Sequence, residues 1–112
     1  MPLAYVHWMN ALFPLDKLPH YPKDVLETFG KLTKHPVIAN GQYDRAKSEA
    51  ELKRGIARMV SYGALFLANP DLPKRFELNT ELNKLDKATM YGGGEKGYTD
   101  YPFLDATQYA EI

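Results

Sequence analysis

Two glycines, Gly41 and Gly63, each close a short apolar run, Pro36-Val-Ile-Ala-Asn40 and Arg58-Met-Val-Ser-Tyr62. A glycine at the end of a strand lets backbone N–H groups approach an anion closely, and a helix opening after Gly63 aims its positive end at that anion. Phosphate binding is the chemistry the pair offers. Two ordinary turns are the alternative, and the glycines by themselves do not decide between them. Tyr91, just before Gly92-Gly-Gly94, offers a phenol for a ligand or for packing. His7 lies with Trp8 in an apolar run and reads as buried, while His20 and His35 sit beside prolines without metal-ligand spacing. The chain has no cysteine, which excludes disulfides, thiolate metal sites and thiol catalysis.

These residues must be positioned by alternating strands and helices. Leu3-Ala-Tyr-Val-His-Trp-Met9 is aromatic and β-branched and predicts a first strand over 3–9; further strands are predicted at 36–40 and 58–62. Pro14, Pro19 and Pro22 make 10–21 a loop. Pro22 is placed in the first turn of a helix carrying Val25, Leu26, Phe29 and Leu32 on one face, a helix weakened by Gly30. Asp44 or Ser48 caps a second helix through Glu49, Leu52, Ile56 and Met59, with Lys53 and Arg54 near its C-terminal end. A short helix begins at Ala64 and stops at Pro70. The tail, 73–112, reads as polar, with Tyr98, Tyr101 and Phe103 available for packing. Strands separated by helices predict an α/β fold with a parallel sheet, in a single segment over 1–112.

The 14 lysines and arginines balance 14 aspartates and glutamates, so net charge gives no reason to expect a nucleic-acid or membrane-surface partner. No apolar run reaches the ~18 residues of a membrane span, and the N-terminus lacks the pattern of a signal peptide. A cytoplasmic location is the expectation.

Three motifs stand in order: Met59-Val-Ser-Tyr-Gly-Ala-Leu-Phe-Leu-Ala-Asn-Pro-Asp-Leu72, Met90-Tyr-Gly-Gly-Gly94 and Gly97-Tyr-Thr-Asp-Tyr-Pro102. Together they resemble the end of old yellow enzyme, the flavin-dependent ene-reductase family, and the resemblance runs from about Leu3 to Phe103. In that family the last barrel strand meets a glycine beside the flavin phosphate. A short helix, an Asn-Pro-Asp-Leu turn and a Tyr-Thr-Asp-Tyr-Pro tail follow. The resemblance implies the C-terminal portion of a (β/α)8 barrel, about three strand–helix units of a fold that normally needs about 250 residues.

It further implies that Gly41, Gln42, Tyr43, Gly63 and Ala64 hold FMN and that Tyr91 faces the substrate. At position 64 the family carries an arginine whose bidentate contact to the phosphate alanine cannot make. The implied reaction takes a hydride from NAD(P)H through the flavin to the β-carbon of an α,β-unsaturated carbonyl. The family's oxygen-holding pair, proton-donating tyrosine and basic residue near the flavin lie in earlier strands, so this chain alone is expected to be inactive. The alternative is a non-catalytic truncated or split barrel fragment that pairs with an N-terminal barrel half or self-associates, because an open arc exposes two strand edges and an unfilled inner face.

Overall fold

A computed structural model describes residues 2–105. They divide after Tyr62 into two compact units.

The first unit is a three-stranded parallel sheet with two helices. Strands β1 (Val6–Met9), β2 (Val37–Asn40) and β3 (Met59–Val60) lie in the order β1-β2-β3. Val6 pairs with Val37 and Met9 with Asn40, then Ile38 with Met59 and Ala39 with Val60. All three strands are shorter than the runs that predicted them. Side chains alternate across a strand, so Trp8, Ala39 and Val60 share one face. Val37 and Ala39 join Leu26 and Ala57 in the core, with Trp8, Tyr43, Ile56 and Val60 packed around them. On the other face Met9 is 61% and Met59 49% exposed, and His7 is exposed as well.

Helix α1 (Val25–Phe29) is capped by Asp24, whose carboxylate accepts the Glu27 N–H, and it passes into a 3-10 turn at Gly30–Leu32. Pro22 therefore stands outside the helix instead of in its first turn. Gly30 is required by packing, since a Cβ there would come within 2.7 Å of the Ile56 side chain. Helix α2 (Arg45–Arg54) begins at Asp44, which accepts the Lys47 N–H. It ends at Gly55, whose φ of 84° is left-handed. The predicted continuation through Ile56 to Met59 fails because the chain has already turned. The predicted face also fails: α2 buries Ser48 and Glu51, while Leu52 is exposed.

The second unit contains α3 (Ala64–Ala68) and α4 (Leu72–Leu78). The stretch after Leu72, polar in sequence, starts with a helix. Pro73 sits in the first turn of α4, where a missing N–H does no harm, and Asn79 ends it in the left-handed conformation. Ala68, Leu72 and Leu104 are buried together with the polar Asn69 and Arg75.

Candidate functional site

In the first unit the predicted residues form one turn at the C-terminal end of β2. Gly41 has φ 122° and Gln42 φ 56°, two consecutive residues in the region that favours glycine. A Cβ on Gly41 would lie 3.1–3.2 Å from the backbone and Cβ of Asn10. The chain's own packing thus explains this glycine. Gln42 donates from Nε2 to the Leu12 carbonyl at 3.3 Å.

Tyr43 is turned into a side-chain network. Its hydroxyl donates to Glu51 Oε1 (2.7 Å) and accepts from Asn10 Nδ2 (3.0 Å). Glu51, only 8% exposed, is gripped by Arg54 through Nε (2.7 Å) and Nη2 (2.8 Å). Arg54 Nη1 also reaches Asp24 Oδ2 at 2.6 Å. Burial and the Glu51 carboxylate push the Tyr43 phenol up to about 12, so at neutral pH it remains an O–H donor. The Arg54 hydrogen bond holds Asp24 below the usual aspartate value.

A smaller cluster lies on the exposed side of the sheet. His7 Nε2 is 2.7 Å from Ser61 Oγ, and Asn40 Nδ2 donates to Ser61 Oγ (2.8 Å) and to its carbonyl (3.1 Å). His7, expected to be buried, is exposed. Among the described residues no group of three acidic, histidine or cysteine side chains could hold a metal ion.

In the second unit Gly63 precedes α3 with φ −98°, and no side chain caps that helix. A Cβ added to Gly63 would meet nothing within 4 Å. Neither backbone angle nor packing demands glycine here. Ala64 is exposed and contributes only a methyl. Tyr91 is 82% exposed, so packing against its own unit does not account for it.

The Asn-Pro-Asp-Leu motif proves to be a structural clamp. Asp71 accepts from Arg75 Nε (2.7 Å) through Oδ1 and from the Leu104 N–H (2.8 Å) through Oδ2. Arg75 also donates to the carbonyls of Glu81 and Pro102, each at 2.9 Å. Asn69 donates to the Leu65 carbonyl and accepts from the Asn83 N–H, while Asn83 Nδ2 reaches the Ala68 and Pro102 carbonyls. Burial of Asp71 pushes its carboxyl up, but the Leu104 N–H and Arg75 outweigh it and the group stays below the usual value. Sequence reading missed Glu51, Arg54 and Arg75 as organisers. The available signal for Glu51 was a charged residue on the same helical side as Ser48, a face that apolar periodicity ignores.

The comparisons with known proteins agree on one group. The model of the NADH:flavin oxidoreductase / NADH oxidase family matches residues 1–83. A rice (Oryza sativa subsp. japonica) protein named as 12-oxophytodienoate reductase 5 is 53% identical over 81 residues, 71% of this chain and 22% of the rice protein. In the solved structure of morphinone reductase in complex with tetrahydroNAD, the match covers 94% of this chain and 27% of that one, at 42% identity and a TM-score of 0.77. The old yellow enzyme from Trypanosoma cruzi matches over 92% of this chain and 26% of its own, at 30% identity and a TM-score of 0.79. The chain spans only 22–27% of the length of these proteins.

Proposed function

The chain belongs to the NADH:flavin oxidoreductase / NADH oxidase family, and from that premise we propose that it supplies the closing strand–helix units of an FMN-dependent, NAD(P)H-consuming ene-reductase barrel. The observation that carries this reading is the parallel sheet in chain order β1-β2-β3, with helices over one face and an exposed second face. A barrel fills that inner face with side chains from all its strands. His7, Met9 and Met59, exposed on that face, would be inner-face residues of such a barrel.

Gly41, Gln42, Tyr43, Gly63 and Ala64 would hold FMN, and Tyr91 would face an enone substrate. Asn10 lies 3.1–3.2 Å from where a Gly41 side chain would begin, whereas a Gly63 side chain would meet nothing within 4 Å, room in which a phosphate would approach the backbone. Ala64 supplies no cation. When bound, FMN supplies the hydride chemistry by which NAD(P)H reduces an activated C=C bond. The residues of this chain would bind and orient it, and the groups that polarise and protonate the substrate would come from the earlier strands.

A second reading is a non-catalytic barrel fragment that requires an N-terminal partner; it draws on the 22% share of the rice reductase that the chain spans. NAD(P)H oxidation with cyclohexenone separates the two. Under the ene-reductase reading, the chain with FMN alone is inactive, and adding a chain that carries the missing strands restores turnover. Failure of that complementation favours the fragment reading, and turnover by the chain alone overturns both. The cofactor assignment is tested by Ala64→Arg, which should tighten FMN by about ten- to a hundredfold and riboflavin hardly at all, since only FMN presents a phosphate to the guanidinium. Equal changes for the two flavins in fluorescence quenching would remove position 64 from the phosphate site.

A further inference from the structure

Resting on that cofactor reading, we propose that Glu51 is the positioning residue of the Gly41–Gln42–Tyr43 turn, holding its backbone ready for the phosphate end of a flavin nucleotide. Gln42 has no glycine-like freedom, yet it sits at φ 56° directly after Gly41 at 122°. A non-glycine residue keeps such a conformation only where its surroundings over-determine it. Those surroundings are visible. Glu51 receives the Tyr43 hydroxyl at 2.7 Å, and the same hydroxyl receives Asn10 Nδ2 at 3.0 Å. Asn10 in turn stands 3.1–3.2 Å from where a Gly41 side chain would begin. The turn is therefore held at Tyr43 by a hydrogen bond and at Gly41 by contact, and both holds converge on the Tyr43 hydroxyl.

Glu51 can serve as the anchor because it is itself fixed. Two Arg54 nitrogens grip both of its oxygens, and Arg54 is tied to Asp24, the residue that caps α1. A buried carboxylate needs such compensation. The network spans the end of β1, the turn after β2, the start of α1 and the last turn of α2. Arg54 is consumed in holding Glu51, so its role is support, and Glu51 acts on a ligand only through Tyr43 and the turn.

The full 112-residue chain, its Tyr43→Phe variant and its Glu51→Gln variant would be compared in two measurements. The first is amide hydrogen exchange at Gly41 and Gln42 in the free protein, with Ile38 and Ala39 of β2 as internal reference. Faster exchange at the turn with an unchanged reference is expected in both variants. The second is fluorescence quenching of FMN and of riboflavin. FMN affinity should fall by about tenfold, the scale of one lost hydrogen bond, with little change for riboflavin. Unchanged exchange in both variants overturns the positioning role. Faster exchange with unchanged FMN affinity leaves Glu51 a structural residue only, and also overturns it. A wild-type chain that binds no FMN removes the cofactor reading itself, and with it the ligand half of this inference, while the exchange data still decide whether Glu51 holds the turn. Tyr43→Phe leaves the Glu51–Arg54 pair intact, so the comparison survives if Glu51→Gln fails to fold.

Discussion

The two units of this chain differ in the weight they give to apolar and polar burial. The first buries aliphatic residues, Leu26, Val37, Ala39 and Ala57, between one sheet face and its helices, and leaves its other face exposed. The second gathers two short helices and the tail around polar groups, with Asp71 and Arg75 paired in the interior and Asn69 fully buried. Apolar burial is graded and tolerant of partial loss, whereas a buried ion pair is severe when one partner is removed. The second unit should thus be the more sensitive to a single substitution.

Asp71→Asn is expected to have the largest effect. It keeps the shape of the side chain and leaves the Arg75 guanidinium buried without its counter-charge, a change of about 3–5 kcal/mol. Amide protection at Leu104 and Asn83 should be lost first. Trp8, the only tryptophan, reports on the first unit, and its emission should change less. A mutant in which Trp8 and Leu104 respond to the same degree would erase the distinction between the units.

Leu26→Ala comes next. Leu26 is fully buried at the centre of the apolar core, and its truncation should cost about 2–4 kcal/mol, because a helix over an open sheet can partly collapse into the cavity. The shift in a denaturation curve followed by Trp8 fluorescence measures it. A shift larger than that of Asp71→Asn would reverse the ranking.

How much of this was legible in the sequence depends on the distance over which each feature is specified. The aromatic and β-branched run before Asn10 marked β1, and Gly41 marked the end of β2, because strand propensity and turn chemistry are local. Asp44 is one of the two caps the sequence offers, and the structure selects it over Ser48. Apolar spacing continues past the helix through Ile56 to Met59, but the left-handed Gly55 stops it first. Pro22 fits a helix's first turn by its chemistry, but the capping carboxylate of Asp24 lies two residues on and sets the start. The tail was the least legible part. Arg75 meets the Pro102 carbonyl and Asp71 the Leu104 N–H, pairings across long stretches of chain that no periodicity encodes. The motifs were recognisable as strings, but their work as a clamp became visible only in the fold. Tyr43 was assigned to a ligand by resemblance, and its hydroxyl is spent on Glu51 and Asn10.

A pair of glycine substitutions sharpens the comparison at the candidate site. Gly41→Ala must adopt φ near 122° and crowd Asn10 at 3.1–3.2 Å, which should destabilise the first unit by about 1–3 kcal/mol. Gly63→Ala has an ordinary φ and open space around the new methyl, so stability should be unchanged. Its effect should fall on FMN binding instead. Parallel thermal melts and flavin titrations test this directly, and a Gly63→Ala protein that melts lower with unaltered FMN affinity would make Gly63 a structural glycine.

The smallest expected effect is that of Asp24→Asn, and its pH dependence gives the finest test of the contrast between the units. Asparagine still caps α1, so the substitution removes chiefly the charge facing Arg54. The Asp24 side chain is 46% exposed, and a pair so open to solvent is worth at most about 1 kcal/mol. Both Asp24 and Asp71 have folded values below the ordinary aspartate pKa. Each therefore contributes stability that is fully present above the unfolded value of about 3.9 and is lost as pH falls through its lower folded value. The difference between wild type and Asp24→Asn should be small at pH 7 and vanish in that acid window, and it should shrink further in high salt, which screens exposed charges. The difference between wild type and Asp71→Asn should narrow over its own acid window while resisting salt, because the Asp71–Arg75 pair is enclosed. Urea unfolding from pH 7 to pH 2, at low and high salt, reads both. Equal salt sensitivity in the two variants would mean that Asp71 is as accessible to ions as Asp24, and the second unit would then owe its cohesion to something other than a buried pair.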